Sequence, residues 1–161
     1  MHQVKVRREI KADIKKVWAV LDDFAGIYKY NPGVKSSKML SKTTTGIGAK
    51  RICYFDDGTS LKETITHYKP MSGYSFDLSE YSLPLKEAKT QFLLEPIGTS
   101  SSKVTVILSF IPKFGPLGWL MGKLLMKPML TKALKGLTKG LDDHIRTGKT
   151  VLTDGSLQPA L

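Results

Sequence analysis

A carboxylate and a guanidinium brought together in an apolar setting can do acid–base chemistry. Burial raises the pKa of the carboxyl group and the neighbouring guanidinium lowers it. The carboxylate can then take a proton from a bound ligand while the guanidinium holds an oxyanion. Arg51 and Glu63, within residues 46–68 (GIGAKRICYFDDGTSLKETITHY), have the spacing for this. Asp56, Asp57 and Gly58 separate two strand-like runs, and a three-residue hairpin loop ending in a left-handed glycine suits them. That register sets Phe55 opposite Thr59, Cys53 opposite Leu61 and Arg51 opposite Glu63, with directly opposed Cβ atoms roughly 4.5–5.5 Å apart. One face then carries Arg51, Cys53, Phe55, Leu61, Glu63 and Ile65. A two-residue turn at Asp57-Gly58 would instead pair Arg51 with Thr64 and send the charges to opposite faces. A charge facing a core is less costly when paired, so the pair also fits a purely structural or ligand-orienting bridge.

Other chemistries lack their residues. His2, His67 and His144 have no recognisable Ser or Cys partner motif, and Cys53 reads as a small core residue. With no HExxH and no clustered His/carboxylate spacing, no metal is expected. There is no Walker loop or GxGxxG, so no nucleotide cofactor is expected; Gly46-Ile47-Gly48 suits the start of a strand.

The elements that must position the pair follow from periodicity. Residues 3–11 alternate as a half-buried strand, with Val4, Val6, Arg8 and Ile10 inward and Arg8 snorkelling to water. Asp13 is a candidate N-cap, and Ile14, Val17, Trp18 and Leu21 follow at helical spacing, Trp18 as a core residue. A second short helix runs to Asn31-Pro32-Gly33, with Tyr30 where it gives way to a loop. A strand over 34–43, the hairpin, and alternating runs over Tyr74–Leu78, Ala88–Leu94 and Val104–Phe110 form an antiparallel meander. Leu130, Leu134, Leu137, Leu141 and Ile145 make the apolar stripe of a long C-terminal helix, capped by Gly148. Gly136 and Gly140 are placed there to let the helix approach the sheet closely. Residues 1–150 form one domain, and 151–161 are expected to be a disordered tail.

The chain has 161 residues, enough for one domain with a real core. Its 41% apolar and 24% charged content is that of a soluble globular protein. A single cysteine excludes an internal disulfide and fits a reducing cytoplasm. No signal peptide is visible, and no run approaches the roughly 18 apolar residues of a membrane span. The net charge of +11 favours anionic partners. Scattered basic residues without a recognition motif argue against nucleic acid.

The local sequences also resemble a family. Ile14–Phe24 (IKKVWAVLDDF) is similar to the "VW…L.DF" signature of the START-like, or Bet v 1-like (SRPBCC), superfamily. Tyr30-Asn31-Pro32-Gly33-Val34 resembles its "W-x-P-x-V" continuation, with Tyr30 in place of the usual Trp. Gly46–Arg51, Gly58, Glu63 and Leu83-Pro84-Leu85 resemble the polyketide cyclase/dehydrase branch, which includes plant lachrymatory-factor synthase-like proteins. The resemblance covers 3–148. It implies an α+β helix-grip fold: a curved antiparallel sheet of about seven strands wrapped around the long C-terminal helix, with two short helices after the first strand. It also implies an elongated cavity between sheet and helix. In the lachrymatory-factor branch the residues at the positions of Arg51 and Glu63 face that cavity and are implicated in proton transfer. Other members with this architecture only bind or carry apolar ligands, so fold alone leaves the chemistry open.

The cavity lining expected from this arrangement takes Phe55, Leu61 and Ile65 from the hairpin and Tyr74, Phe76, Phe92, Leu108 and Phe110 from the later strands. Tyr30, Trp119, Leu130 and Leu134 complete it from the helical segments. Two functions stand open: binding or transport of a small or medium hydrophobic ligand, and a cyclase, dehydratase or isomerase using Glu63 as general acid/base with Arg51. Residues 112–130 (PKFGPLGWLMGKLLMKPML) mix Phe, Trp, Leu and Met with Lys113, Lys123 and Lys127. Such a segment can close a cavity mouth, meet an anionic membrane surface or form a dimer contact. The oligomeric state is not legible.

Overall fold

The computed structural model describes residues 1–159. Seven strands form one antiparallel sheet: β1 (His2–Ile10), β2 (Ser36–Met39), β3 (Lys50–Tyr54), β4 (Ser60–Lys69), β5 (Gly73–Ser79), β6 (Leu85–Ile97) and β7 (Ser101–Pro112). Their spatial order is β1-β7-β6-β5-β4-β3-β2, so β2 to β7 are a meander and β1 closes its far edge beside β7. Between β1 and β2 lie α1 (Ile14–Asp22) and a 3-10 helix (Phe24–Lys29); a continuous helical run after β7 comprises α2 (Gly115–Met121), a π turn (Gly122–Met126) and α3 (Lys127–Thr147). This is the helix-grip architecture.

Local chemistry explains the boundaries. Asp13 caps α1 by accepting the Lys16 N–H at 2.9 Å. Gly148 ends α3 with φ 71°, its N–H donating to the His144 carbonyl. Gly58 closes the β3–β4 hairpin with φ 84°, and Phe55 N–H donates to Thr59 O. The three-residue loop therefore holds, and Arg51 stands opposite Glu63. The alternation in β4 then slips at Thr66, a bulge that keeps Ile65 on the core face opposite Phe76 while restarting the register at His67.

The core fills the concave face of the sheet. Val17, Leu21 and Phe24 pack there from the first helices, and Leu134, Leu137, Leu141 and Ile145 from α3. Trp18 is buried in this core, as expected.

Four expectations are corrected. The strand over 34–43 shortens to Ser36–Met39, because the chain then turns through exposed Ser/Lys/Thr-rich residues with nothing apolar to bury. Gly140 meets the Tyr30 carbonyl rather than the sheet, a Cβ there overlapping that oxygen, while Gly136 touches only Pro32. Arg8 does not simply snorkel: its guanidinium reaches Asp142 of α3 at 3.6 Å. Residues 151–159 are not a loose tail. Val151 is buried, its N–H donates to Lys29 O, and it bridges Leu157. The rest of that expected tail, 160 and 161, lies outside the described residues.

Candidate functional site

The hairpin register places Arg51 and Glu63 together on the concave face, and both are buried. Arg51 has no exposed side-chain surface, whereas the Glu63 side chain keeps 9%. The guanidinium Nε donates to Glu63 Oε2 at 2.5 Å, and Nη1 donates to the Phe24 carbonyl. The cation also lies 3.7 Å above the Phe24 ring centroid and 5.4 Å from that of Phe76. Two carboxylate and carbonyl acceptors and two aromatic faces thus hold one desolvated charge. Cys53 Sγ donates to the same Glu63 oxygen at 3.7 Å.

Three buried polar atoms in this region have no hydrogen-bond partner among the described residues: Arg51 Nη2, Tyr30 Oη and Tyr74 Oη. The two phenols face each other closely enough for their hydroxyls to interact, and both are electrostatic neighbours of Arg51 and Glu63. Native interiors rarely leave such groups unpaired, and each costs about 1–3 kcal/mol if left so. Burial, opposed by Arg51, pushes the Tyr30 phenol up to about 12. Burial and then Tyr30 push Tyr74 well above the ordinary tyrosine value. Both phenols are therefore neutral donors at neutral pH. Burial and then Glu63 push the Cys53 thiol up to about 12, which makes it a poor nucleophile. Burial works most strongly against the Arg51 charge, but Glu63, joined by Cys53, Tyr74 and Tyr30, together outweighs it, so its pKa rises and the guanidinium stays charged. The cluster is a donor-rich polar patch set into an aromatic core. The ring centroids of Tyr74 lie 5.3 Å from Phe92 and 5.9 Å from Phe24.

Of the expected lining, Tyr30, Ile65, Tyr74, Phe76, Phe92, Leu108, Phe110 and Leu134 are buried, and Phe55, Leu61 and Leu130 are half-buried against the same core. Trp119 is corrected: it is 51% exposed, its ring 5.6 Å from that of His2 at the edge of α2 rather than in the interior. Grooves of about 580, 420 and 400 Å³ open at the surface, and none of these three is lined by Arg51, Glu63 or Tyr30. The interior around the charged pair is closely packed, with Arg51 itself lying against Phe24.

Sequence reasoning missed Phe24, which supplies both a ring and a carbonyl to Arg51. Its place at the end of the LDDF run was the available signal. It also missed a second polar cluster, in which Tyr68 Oη and Thr45 Oγ1 donate to Asp22 Oδ1 at 2.6 and 2.5 Å. That cluster ties the 40–49 loop to α1 and has no periodic signature. Groups of three or more His, Cys, Asp or Glu able to hold a metal are absent among the described residues.

Comparisons with known proteins agree with this architecture. XoxI from Bacillus cereus superposes with a TM-score of 0.76 at 15% identity, over 91% of this chain and 97% of that one. A START superfamily protein from Mycobacterium smegmatis gives 0.71 at 17% identity, over 91% and 98%. Ara h 8.0201 gives 0.70 at 17% identity, also over 91% and 98%. A search of curated proteins finds no match. At these identities the structures establish the fold alone. The family described as "Polyketide cyclase / dehydrase and lipid transport" matches residues 1–145, and the chain belongs to that family.

Proposed function

We propose that the protein binds a hydrophobic ligand by an oxygen atom, which the unpartnered donors of Arg51, Tyr30 and Tyr74 receive. The observation that carries this is their convergence: three buried polar atoms without a hydrogen-bond partner among the described residues, beside Glu63 and among the rings of Phe24, Phe76 and Phe92. A carbonyl or carboxylate oxygen accepts from all three donors, and the aromatic rings receive the apolar body. The family's description, which includes lipid transport, supports this reading. Because the rings are closely packed, the ligand is admitted by their separation, and its affinity carries the free energy of that opening.

The test compares two isosteric probes, 2-acetylnaphthalene and 2-ethylnaphthalene, by calorimetric titration. Three donors facing one acceptor favour the ketone by roughly tenfold or more. Tyr30→Phe with Tyr74→Phe brings the two affinities together without weakening the hydrocarbon. Equal affinity of the wild-type protein for both probes, or no binding of either, refutes the proposal.

A second reading rests on Glu63, the partly exposed member of the pair. Glu63 would take a proton from a carbon next to the bound carbonyl, and Arg51 would hold the resulting enolate oxygen. NMR of 2-acetylnaphthalene in D2O then shows enzyme-accelerated exchange of its methyl protons, lost in Glu63→Gln while binding persists. Exchange no faster than in buffer, with the ketone bound, eliminates the base and leaves the binding function standing.

A further inference from the structure

The helical run after β7 is amphipathic in the wrong sense for a packed element. Its small residues face inward and its large apolar residues face water. Gly118 lies against the Lys113 carbonyl, and a Cβ there would overlap that oxygen. Gly122 lies against His2 and Pro112, and a Cβ would come within 2.7 and 2.8 Å of them. With the glycines on the inner side, Phe114, Leu117, Leu120, Leu124, Leu125 and Met129 are 46–66% exposed. Phe114 is further presented by a left-handed backbone, φ 70°, a conformation rare for a bulky residue. The π turn at Gly122–Met126 sits in the middle of this face. Such a contiguous apolar surface marks an interaction site.

The charge around it identifies the partner. Between Pro96 and Leu141 the sequence has seven lysines and no aspartate or glutamate. Five lysines (Lys5, Lys123, Lys127, Lys132 and Lys135) line a groove of about 580 Å³ between β1 and α3 that no carboxylate shares. None of the five is in a salt bridge among the described residues. Lys123 also lies 5.5 Å from the ring centroid of Trp119, which is half exposed at the same face. No helix among the described residues is long and apolar enough to cross a membrane. Leucines at the water boundary interleaved with unpaired lysines are the composition of a helix lying in a lipid interface. Nucleic acid would use the lysines but gives the exposed leucines nothing to bury against.

We propose that α2 and the π turn dock this protein on an anionic phospholipid surface: the apolar side chains enter the interface, and the five-lysine groove receives lipid phosphates. This surface is separate from the interior ligand site, so either can fail without the other.

The full chain is mixed with vesicles of phosphatidylcholine alone, or of phosphatidylcholine with phosphatidylglycerol, and sedimented. Binding is expected to the second and to fall with added salt. Each lysine near such a surface contributes about fivefold in partitioning, so Lys123→Ala with Lys127→Ala lowers it roughly 25-fold. Leu120→Ser with Leu124→Ser, at exposed positions that leave the core intact, lowers it at least tenfold at unchanged net charge. Lys15→Ala with Lys16→Ala, on α1, removes the same charge elsewhere and leaves partitioning nearly unchanged. Equal binding to both vesicle types, or equal losses in the α1 control, overturns the proposal. So does full binding by the leucine variant, since that is mere adsorption of a basic protein. Sedimentation velocity covers the other occupant: a dimer that the leucine variant dissociates, with no vesicle binding, also overturns it.

Discussion

Replacing Glu63 by leucine removes the only carboxylate among the described residues that touches Arg51 and keeps the site filled. Arg51 cannot follow its partner to neutrality, because its guanidinium stays protonated at any accessible pH. It cannot reach water either, with its side chain wholly buried. The Phe24 carbonyl and the two ring faces remain, but they do not cancel a full charge. Breaking a buried ion pair from one side costs about 3–5 kcal/mol. For a chain of this size that is a fall in Tm of roughly 6–20 °C. The double variant Arg51→Met with Glu63→Leu removes both charges and returns most of the loss, because two well-packed apolar side chains are about as stable as the pair. Urea unfolding followed by tryptophan fluorescence on wild type, both singles and the double closes the cycle, with a coupling energy of about 3 kcal/mol. A Glu63→Leu loss below about 1 kcal/mol, or a double variant no better than the sum of the singles, refutes the reasoning. In that event the guanidinium finds solvent or another acceptor, and the pair is not the fixed centre of the site.

The remaining predictions address the same interior and its supports. Tyr30→Phe and Tyr74→Phe each leave stability unchanged or raise it by up to about 1–3 kcal/mol, because the deleted hydroxyls are desolvated and have no partner among the described residues to orphan; chemical denaturation checks this, and a loss above about 1 kcal/mol reveals a hidden hydrogen bond. Raised pKa values for Tyr30, Tyr74 and Cys53 mean that the unfolded state gives up these protons first. Stability contributed by the neutral groups is thus whole below about pH 8.5 and declines as pH rises toward 12. Absorbance at alkaline pH should show the two buried tyrosines ionising only together with unfolding, and Cys53 should resist iodoacetamide in the native protein. Gly136→Ala stabilises α3 by about 0.5–1 kcal/mol, whereas Gly140→Ala destabilises it by about 1–3 kcal/mol because the new methyl overlaps the Tyr30 carbonyl; thermal melts of the two variants should move in opposite directions.

Much of this molecule is local and could be read from its residues. The Asp56-Asp57-Gly58 loop fixed a register, and a register fixes which side chains share a face, so Arg51 and Glu63 could be paired without coordinates. The alternating strands, the Asp13 cap and the Leu130–Ile145 stripe are likewise short-range patterns that carry their own geometry. What the residues could not say is what stands over the pair. Phe24 reaches Arg51 across 27 positions, and Tyr30 and Tyr74 approach each other across 44, contacts with no period to betray them. Only the tertiary packing converts an ion pair on a strand face into a desolvated cluster with three unpaired donors. It also decides the sense of α2. Leucines at helical spacing are the mark of a buried face, yet Gly118 and Gly122 take the inner side because only they fit beside Lys113, Pro112 and His2. Period tells which residues lie together; what they lie against is settled by the rest of the chain.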